Sequence, residues 1–236
     1  MKRTPPFTPR VPAAGEAAVI AIDGPAASGK SSTAHWVAER LGFRHIDSGA
    51  LYRAATAAAI RRDPAGGWGE AFVLEAARDV RLVPNQTSFV AAIADDPIDA
   101  EIRNAGVTQH VSLVAKMPRV REWVNELVRR TAEGHDVVVD GRDIGTVVFP
   151  DADLKVFLVA DPWERARRRL TQRLARGPTD DEVAEETERL VQRDSRDATQ
   201  TVQASDAVLI DTTYLTQEEQ VERIVTLARV ILKRGG

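Results

Sequence analysis

GPAASGKS, at residues 24–31, is the stretch that decides the fold expected for this chain. The apolar run AVIAI at residues 18–22 precedes it and predicts a buried strand. Residues 31–41 follow it, and their apolar side chains recur at helical spacing. The stretch has the pattern G-x-x-x-x-G-K-[ST], in which backbone N–H groups beside a helix N-terminus suit a chain of phosphates. The order strand, loop, helix therefore predicts a phosphate-binding loop.

Two side chains of this phosphate loop (residues 24–31) have predicted chemical roles. Lys30 is expected to reach the β- and γ-phosphates of a nucleotide, and the Ser31 hydroxyl is expected to lie near a Mg²⁺ ion. The predicted nucleotide-binding residues are Gly24, Ala27, Ser28, Gly29, Lys30, Ser31 and Ser32. The loop indicates ATP or GTP as a ligand but does not identify a reaction.

The composition narrows the possible classes of protein. A length of 236 residues with 43% hydrophobic side chains fits one α/β domain, and an aromatic content of 5% leaves alanine, valine and leucine to fill the core. The chain has no cysteine, which excludes disulfides and thiolate metal sites and is compatible with the cytoplasm. The four histidines are not spaced for a metal. A net charge of −3 and the lack of a long apolar run predict neither nucleic-acid nor membrane binding.

The remaining apolar runs predict a mostly parallel sheet covered by helices on both faces. Further strands are predicted at residues 44–47, 137–140, 155–159 and 207–211. The capping box Thr216-x-x-Glu219 predicts the start of the last helix, whose apolar stripe is expected to pack on the sheet.

Two other parts of the chain have a different character. Short alternating segments between residues 62 and 110 predict a small insert that contains strands. A helical pattern over residues 112–130 follows and is interrupted by Pro118. Residues 1–16 contain four prolines and no apolar segment, so they predict a disordered tail.

Three polar stretches beyond the phosphate loop are candidates for binding a second ligand. DSGALYR (residues 47–53) and DGRDIGTVVFP (residues 140–150) follow predicted strands, and ligands bind beyond the carboxyl ends of strands in open α/β sheets. PWERARRRLTQR (residues 162–173) presents several arginines on a helical pattern, and one or two of them suit phosphates. Each stretch also has a structural interpretation: a helix N-cap with a surface arginine, an internal ion pair, and an amphipathic helix with a solvated basic face.

Together these stretches resemble the bacterial-type cytidylate kinases, which are nucleoside monophosphate kinases. The matching segments are, in order, IDGPAASGKSS, HIDSGALYRA, SLVAKMPRVR, DGRDIGTVVFPDA, ERARRR, RDSRD and ASDAVLIDTT. The resemblance implies a P-loop NTPase-like α/β fold over residues 17–236, preceded by the tail. Within that fold it implies an NMP-binding insert at about residues 62–112 and a helical lid at about residues 162–182.

The resemblance implies the reaction ATP + CMP giving ADP + CDP, with dCMP also accepted, ATP and Mg²⁺ as cofactors, and a cytoplasmic monomer. A phosphate oxygen attacks, and it is already deprotonated near pH 7 because the second pKa of a phosphate is about 6. Catalysis then consists of neutralising and aligning two polyanions rather than removing a proton. The implied catalytic residues are Lys30, Arg142, Arg165 and Arg168, with Arg169 as an alternative to Arg168 in the lid.

The resemblance also implies how the acceptor is held. Arg53 and Arg142 are assigned to the CMP phosphate. Asp143 is assigned to the cytosine amino group and Arg121 to the acceptor atoms of the base, so CMP is expected to be preferred over UMP. The implied substrate-binding residues are Ser48, Arg53, Ser112, Arg121, Arg142, Asp143, Arg193 and Asp197. The last two of these are assigned to the ribose.

One position departs from the family pattern. The family commonly reads R-D-x-x-D-x-x-R where this chain has RDSRDATQ, so the neutral Gln200 stands in place of an arginine that contributes to the CMP phosphate. We therefore expect weaker phosphate binding or a shifted acceptor preference. Two alternatives stay open. The first is a related kinase that acts on UMP, on AMP or on a hydroxyl acceptor such as shikimate, for which Asp47 could serve as the base. The second is a regulator that binds ATP without turnover. The Arg-Asp pair at residues 142–143 and the intact phosphate loop favour the nucleotide kinase.

Overall fold

The computed structural model describes residues 17–174 and 176–232, so the predicted tail lies outside the described residues. The strands are β1 (Val19–Asp23), β2 (Arg44–Asp47), β3 (Val80–Pro84), β4 (Ser88–Ile93), β5 (Asp96–Pro97), β6 (Val137–Gly141), β7 (Leu154–Val159) and β8 (Val208–Asp211). The helices are α1 (Lys30–Leu41), α2 (Ser48–Arg62), α3 (Glu70–Ala76), α4 (Ala105–Val114), α5 (Pro118–Ala132), α6 (Pro162–Arg173), α7 (Asp180–Asp197) and α8 (Gln217–Leu232). Short helical turns cover Glu101–Arg103 and Ile144–Val148.

The strands form one sheet in the order β3-β4-β2-β6-β1-β7-β8, with β5 paired to β4. The strand before the phosphate loop, β1, is central and pairs in parallel with both β6 and β7. Only the pairings of β3 and β5 with β4 are antiparallel among the described residues. The predicted mostly parallel sheet is therefore confirmed. Because β2, β6 and β1 are neighbours and parallel, the polar residues at their carboxyl ends converge at one edge.

Apolar clusters cover the two faces of the sheet, as a parallel sheet requires. One face packs on α2, whose alanines at positions 54, 55, 57, 58 and 59 are all buried and allow close approach of the helix to the strands. The other face packs on α1 and α8 through side chains such as Val37 and Ile224. The predicted capping box at the start of α8 is formed, since Thr216 and Glu219 exchange hydrogen bonds. A third, smaller apolar cluster lies between α6, α7 and the phosphate loop.

The region predicted as an insert, residues 62–112, contains α3, β3 to β5 and most of α4. Its strands continue the central sheet, because β4 pairs in parallel with β2, with His45 opposite Ser88. The helix predicted over residues 112–130 is two helices, α4 and α5. Pro118 begins α5, where the missing N–H of proline removes no helical hydrogen bond. None of the helices in the described ranges is long and apolar enough to cross a membrane.

Candidate active site

The phosphate loop connects β1 to α1 through an unusual backbone. Gly24, Ala27 and Gly29 have positive φ angles of 153°, 58° and 85°. A Cβ atom on Gly24 would lie 2.3 Å from the carbonyl oxygen of Leu158, so only glycine fits there. The Ser28 hydroxyl is buried and has no hydrogen-bond partner among the described residues. The loop is thus a constrained turn that holds polar groups without protein partners, as expected of a site for a polar ligand.

Lys30, the first residue of α1, points back into the loop. Its Nζ donates to the carbonyl oxygen of Pro25 at 2.9 Å. Burial and the nearby positive charge of Arg142 together lower the pKa of Lys30 to about 7, although Asp140 and Asp47 act in the opposite direction. A polyanion at the loop would favour the charged form of this lysine.

Asp140, at the end of β6, joins the phosphate loop to β2. Its Oδ2 accepts a hydrogen bond from the Ser31 hydroxyl at 2.6 Å, and its Oδ1 lies 2.7 Å from His45 Nε2. Burial alone would raise the pKa of Asp140, but the hydrogen bonds of His45 and Ser31 hold it below its ordinary value. The described residues contain no group of three or more His, Cys, Asp or Glu side chains that could hold a metal. A hydroxyl beside one carboxylate nevertheless fits Mg²⁺, which takes few protein ligands beside phosphate oxygens and water.

Asp23, at the end of β1, fixes the turn that carries the Arg-Asp pair of residues 142–143. Its two carboxylate oxygens accept hydrogen bonds from the backbone N–H groups of Ile144 and Gly145, both at 2.8 Å. Burial raises the pKa of Asp23 to about 6 despite these bonds. Asp23 at the end of β1 therefore determines the position of the turn after β6, which carries Arg142 and Asp143.

One cavity of about 930 Å³ opens between the phosphate loop and the carboxyl ends of β2 and β6. It is lined by every residue predicted for the acceptor: Ser48, Arg53, Ser112, Arg121, Arg142, Asp143, Arg193 and Asp197. Of the predicted nucleotide-binding residues it is lined by Ala27, Gly29, Lys30, Ser31 and Ser32. Gly24 and Ser28 do not line it, because the first packs against β7 and the second is buried beneath the loop.

Arg53, Arg142 and Arg193, which we call the arginine cluster, lie close enough together for their positive charges to act on one another. The Nε atoms of Arg142 and Arg193 lie 3.8 and 3.6 Å from one oxygen of Asp197, and both are buried without a hydrogen-bond partner in the described part of the chain. Burial lowers the pKa of Arg53 to about 10, and the charge of Arg193 contributes. Three neighbouring guanidinium groups, two of them with an unsatisfied Nε, form a site that suits an anion.

Arg121 and Asp143, which also line the cavity, form an ion pair. Arg121 also donates to the carbonyl oxygen of Ala115 at 3.1 Å and lies 5.8 Å from the centre of the Tyr52 ring. The pair therefore presents a carboxylate and a guanidinium side by side, in fixed positions, next to an aromatic ring. This arrangement matches a flat ligand that has both hydrogen-bond donors and acceptors.

The predicted lid arginines differ in where they lie. Arg165 is only 3% exposed and does not line the cavity, because it binds the phosphate-loop backbone and Asp194. Arg168 lines the cavity and donates to the carbonyl oxygens of Thr212 and Thr213 at 2.6 and 2.8 Å. Arg169 also lines it, and its Nε lies 3.0 Å from Glu186.

Three residues that the sequence analysis did not assign also belong to the site. Asp140 and His45 line the cavity, and so does Arg103, whose charge affects both Asp47 and Arg53. The sequence pattern gives no role to Arg103, and Asp140 is expected only as the end of a strand and the first residue of the stretch at residues 140–150. Their positions beside the phosphate loop depend on strand pairing, which a single sequence does not display.

A protein-family model described as cytidylate kinase matches residues 20–230. A cytidylate kinase of Geobacillus kaustophilus is 47% identical over 216 residues, which is 88% of this chain and 95% of that protein. A cytidylate kinase of Acholeplasma laidlawii is 39% identical over 212 residues, 88% of this chain and 93% of that protein. Among solved structures, a shikimate kinase of Bacteroides thetaiotaomicron is similar with a TM-score of 0.45 and 16% identity, covering 90% of this chain and 98% of that one.

The matched span includes all of β1 except Val19, the phosphate loop, the arginine cluster and the Arg121–Asp143 pair, so the similarity covers every residue that lines the cavity. The family match and the identity to curated relatives point to the same family as the sequence motifs do, and residues of these motifs line one cavity. This chain is a member of the cytidylate kinase family.

Proposed function

We propose that this protein transfers the γ-phosphoryl group of ATP to CMP, and also to dCMP, giving ADP with CDP or dCDP. The observation that carries the proposal is a single cavity that is lined by the phosphate loop, by the arginine cluster and by the Arg121–Asp143 pair. The relatives named cytidylate kinase support CMP as the acceptor.

The charges in the cavity suit an attack by a phosphate oxygen. The acceptor phosphate needs no general base because its second pKa is about 6. It does need compensation for its charge, which Arg142 and Arg193 would provide, since their buried Nε atoms have no hydrogen-bond partner among the described residues. Lys30 and the loop N–H groups would hold the phosphates of ATP from the opposite side. The main contribution of the protein is then alignment and charge neutralisation.

Ser31 and Asp140 are the residues that would hold Mg²⁺, since their oxygen atoms lie together at the start of α1. When bound, the ion would neutralise charge on the β- and γ-phosphates. We further propose that Arg168, with Arg169, belongs to a lid over residues 162–182 that closes on the cavity. Closure would exclude water, which otherwise competes with CMP for the phosphoryl group.

The Arg121–Asp143 pair accounts for the choice of base in this proposal. Cytosine has an amino group that Asp143 would accept, and acceptor atoms to which Arg121 would donate. Uracil has an oxygen in place of the amino group, so UMP would bring two acceptors together at Asp143. An unsatisfied contact of this kind costs about 1 to 3 kcal/mol in a buried site.

A coupled assay of ADP release tests the proposal, with ATP, Mg²⁺ and one of CMP, dCMP, UMP, AMP or shikimate as acceptor. Turnover with CMP and dCMP, and slow turnover with the other three, is the expected result. Preference for any of those three would refute CMP as the acceptor.

We also propose that the enzyme acts as a cytoplasmic monomer, and the native mass in solution tests the oligomeric state.

A further inference from the structure

The phosphate loop is held at one residue, Ala26, by α6, which lies within the proposed lid, and by α7, which begins in it. We call these two the lid helices. Arg165 of α6 donates from Nη1 to the carbonyl oxygen of Ala26 at 2.8 Å. Asp194 of α7 accepts from the backbone N–H of Ala26 at 3.4 Å. The two side chains also bind each other, with Arg165 Nη2 lying 2.6 Å from Asp194 Oδ2. Both backbone polar groups of Ala26 are therefore held by one ion pair.

Apolar packing adds to the hydrogen bonds that hold Ala26. The Ala26 side chain is buried in the small apolar cluster that α6 and α7 form, together with Ala166, Leu170 and Leu190. That cluster is separate from the two clusters that cover the sheet. The first turn of the phosphate loop thus belongs to the core of the lid helices rather than to the core of the sheet.

The backbone at this point needs support from its surroundings. Ala27 has a left-handed φ of 58°, which is unfavourable for a residue with a Cβ atom. Such conformations persist only where neighbouring contacts fix them. The contacts on Ala26 fix the peptide that immediately precedes Ala27. Without them, relaxation of Ala27 would turn the loop N–H groups away from the phosphates that they are proposed to bind.

Arg165 is poorly located for direct contact with a phosphoryl group. It is 3% exposed and does not line the cavity. Both terminal nitrogens of its guanidinium bind protein groups, and its Nε is buried without a partner in the described residues. Arg165 can therefore influence the reaction by holding Ala26 of the phosphate loop in position.

We propose that Arg165 and Asp194 are positioning residues that hold the phosphate loop in its nucleotide-binding conformation and couple that loop to the lid helices. The catalytic part of this inference rests on the proposed kinase function. It replaces the direct role that the family resemblance implied for Arg165.

The test compares Asp194→Asn with Glu185→Gln, a matched control. Both changes remove one carboxylate charge from α7, but Glu185 is 70% exposed and pairs only with Arg189 among the described residues. Amide hydrogen exchange of the peptide covering residues 24–30 is measured in the nucleotide-free proteins. We expect exchange about tenfold faster in Asp194→Asn and unchanged in Glu185→Gln, because the loop opens locally. Circular dichroism and thermal unfolding establish that both variants are folded.

Steady-state kinetics provide a second measurement. In Asp194→Asn we expect the KM for ATP to rise about tenfold while the KM for CMP changes less than about twofold, since the loop contacts only the donor. Arg165→Lys keeps the charge but cannot bridge Ala26 and Asp194 with one nitrogen, so the same pattern is expected.

Loop exchange and a KM for ATP that match the control in a folded Asp194→Asn would overturn the proposal. An equal rise in both KM values would also overturn it, because that pattern indicates general loosening. If the wild-type protein did not phosphorylate CMP, the proposed function would fail while the exchange comparison would still test the grip on Ala26.

Discussion

His45 Nε2 lies 2.7 Å from Asp140 Oδ1, and the other oxygen of that carboxylate accepts a hydrogen bond from Ser31. Both His45 and Asp140 are buried. One carboxylate near the end of β6 therefore joins His45 of β2 to the first turn of α1. This side chain ties α1 to the two paired strands β2 and β6.

Replacement of His45 tests the strength of this link. His45→Leu leaves the buried Asp140 with a single side-chain partner, so we expect a loss of about 3 kcal/mol in the free energy of unfolding. His45→Gln retains a donor that can bind Asp140 and is expected to recover part of that loss. Urea unfolding of both variants measures the difference. Equal stability of the two variants would show that the hydrogen bond to Asp140 contributes nothing.

Asp143→Asn tests the assignment of base selection. The amide can donate a hydrogen bond to the uracil oxygen, so the ratio of kcat/KM for CMP to that for UMP should fall by about tenfold. The ratio is its own control, because a partial loss of folded protein lowers both values equally. An unchanged ratio would remove Asp143 from the base-reading role.

Gln200→Arg tests the departure from the family pattern. Gln200 lines the cavity, and an arginine there would add a charge near the arginine cluster. We expect the KM for CMP to fall by about threefold to tenfold, with the KM for ATP unchanged. Gln192→Arg, on the exposed face of α7, gives the same net charge as a control. Equal effects of the two variants on the KM for CMP would assign the gain to long-range charge alone.

The raised pKa of Asp23 predicts a dependence of stability on pH. Burial raises this pKa from 3.8 to about 6, so between those values the folded protein binds the proton more tightly than the unfolded chain does. The free energy of unfolding should therefore fall as the pH rises through that interval, by about 3 kcal/mol in total.

Asp23→Asn removes this titration, so its unfolding free energy should change less over the same interval than that of the wild type. The comparison uses the difference in slope, because the amide also loses one of the two hydrogen bonds to the 144–145 backbone and this lowers stability at every pH. Parallel pH profiles for the two proteins would contradict a raised pKa at Asp23.

The local sequence pattern was sufficient for the strands and for the phosphate loop. The apolar run at residues 18–22 and the glycines of residues 24–31 define β1 and the turn after it, because these features depend on near neighbours. The local pattern was not sufficient to predict which residues come together in the site. The contact between Arg121 and Asp143 joins residues from different elements, and only the family resemblance indicated that both belong to one site.

Other features escaped the sequence analysis for physical reasons. The arginine-rich helix α6 has basic residues on several sides, and its periodicity does not tell which one is buried, so the burial of Arg165 was not foreseen. The pairing of β4 with β2 depends on contacts between distant segments, so the insert was not expected to extend the central sheet. Asp140 was given no role of its own, because its position beside the strand that leads into the phosphate loop arises from the pairing of β6 with β1.

The most direct measurement is phosphorus NMR of ATP, Mg²⁺ and CMP incubated with the protein, because it identifies the product as well as the consumption of ATP. The account predicts that CDP and ADP appear in equal amounts as CMP and ATP disappear. Release of ADP with inorganic phosphate and no CDP, or no consumption of ATP, would contradict it.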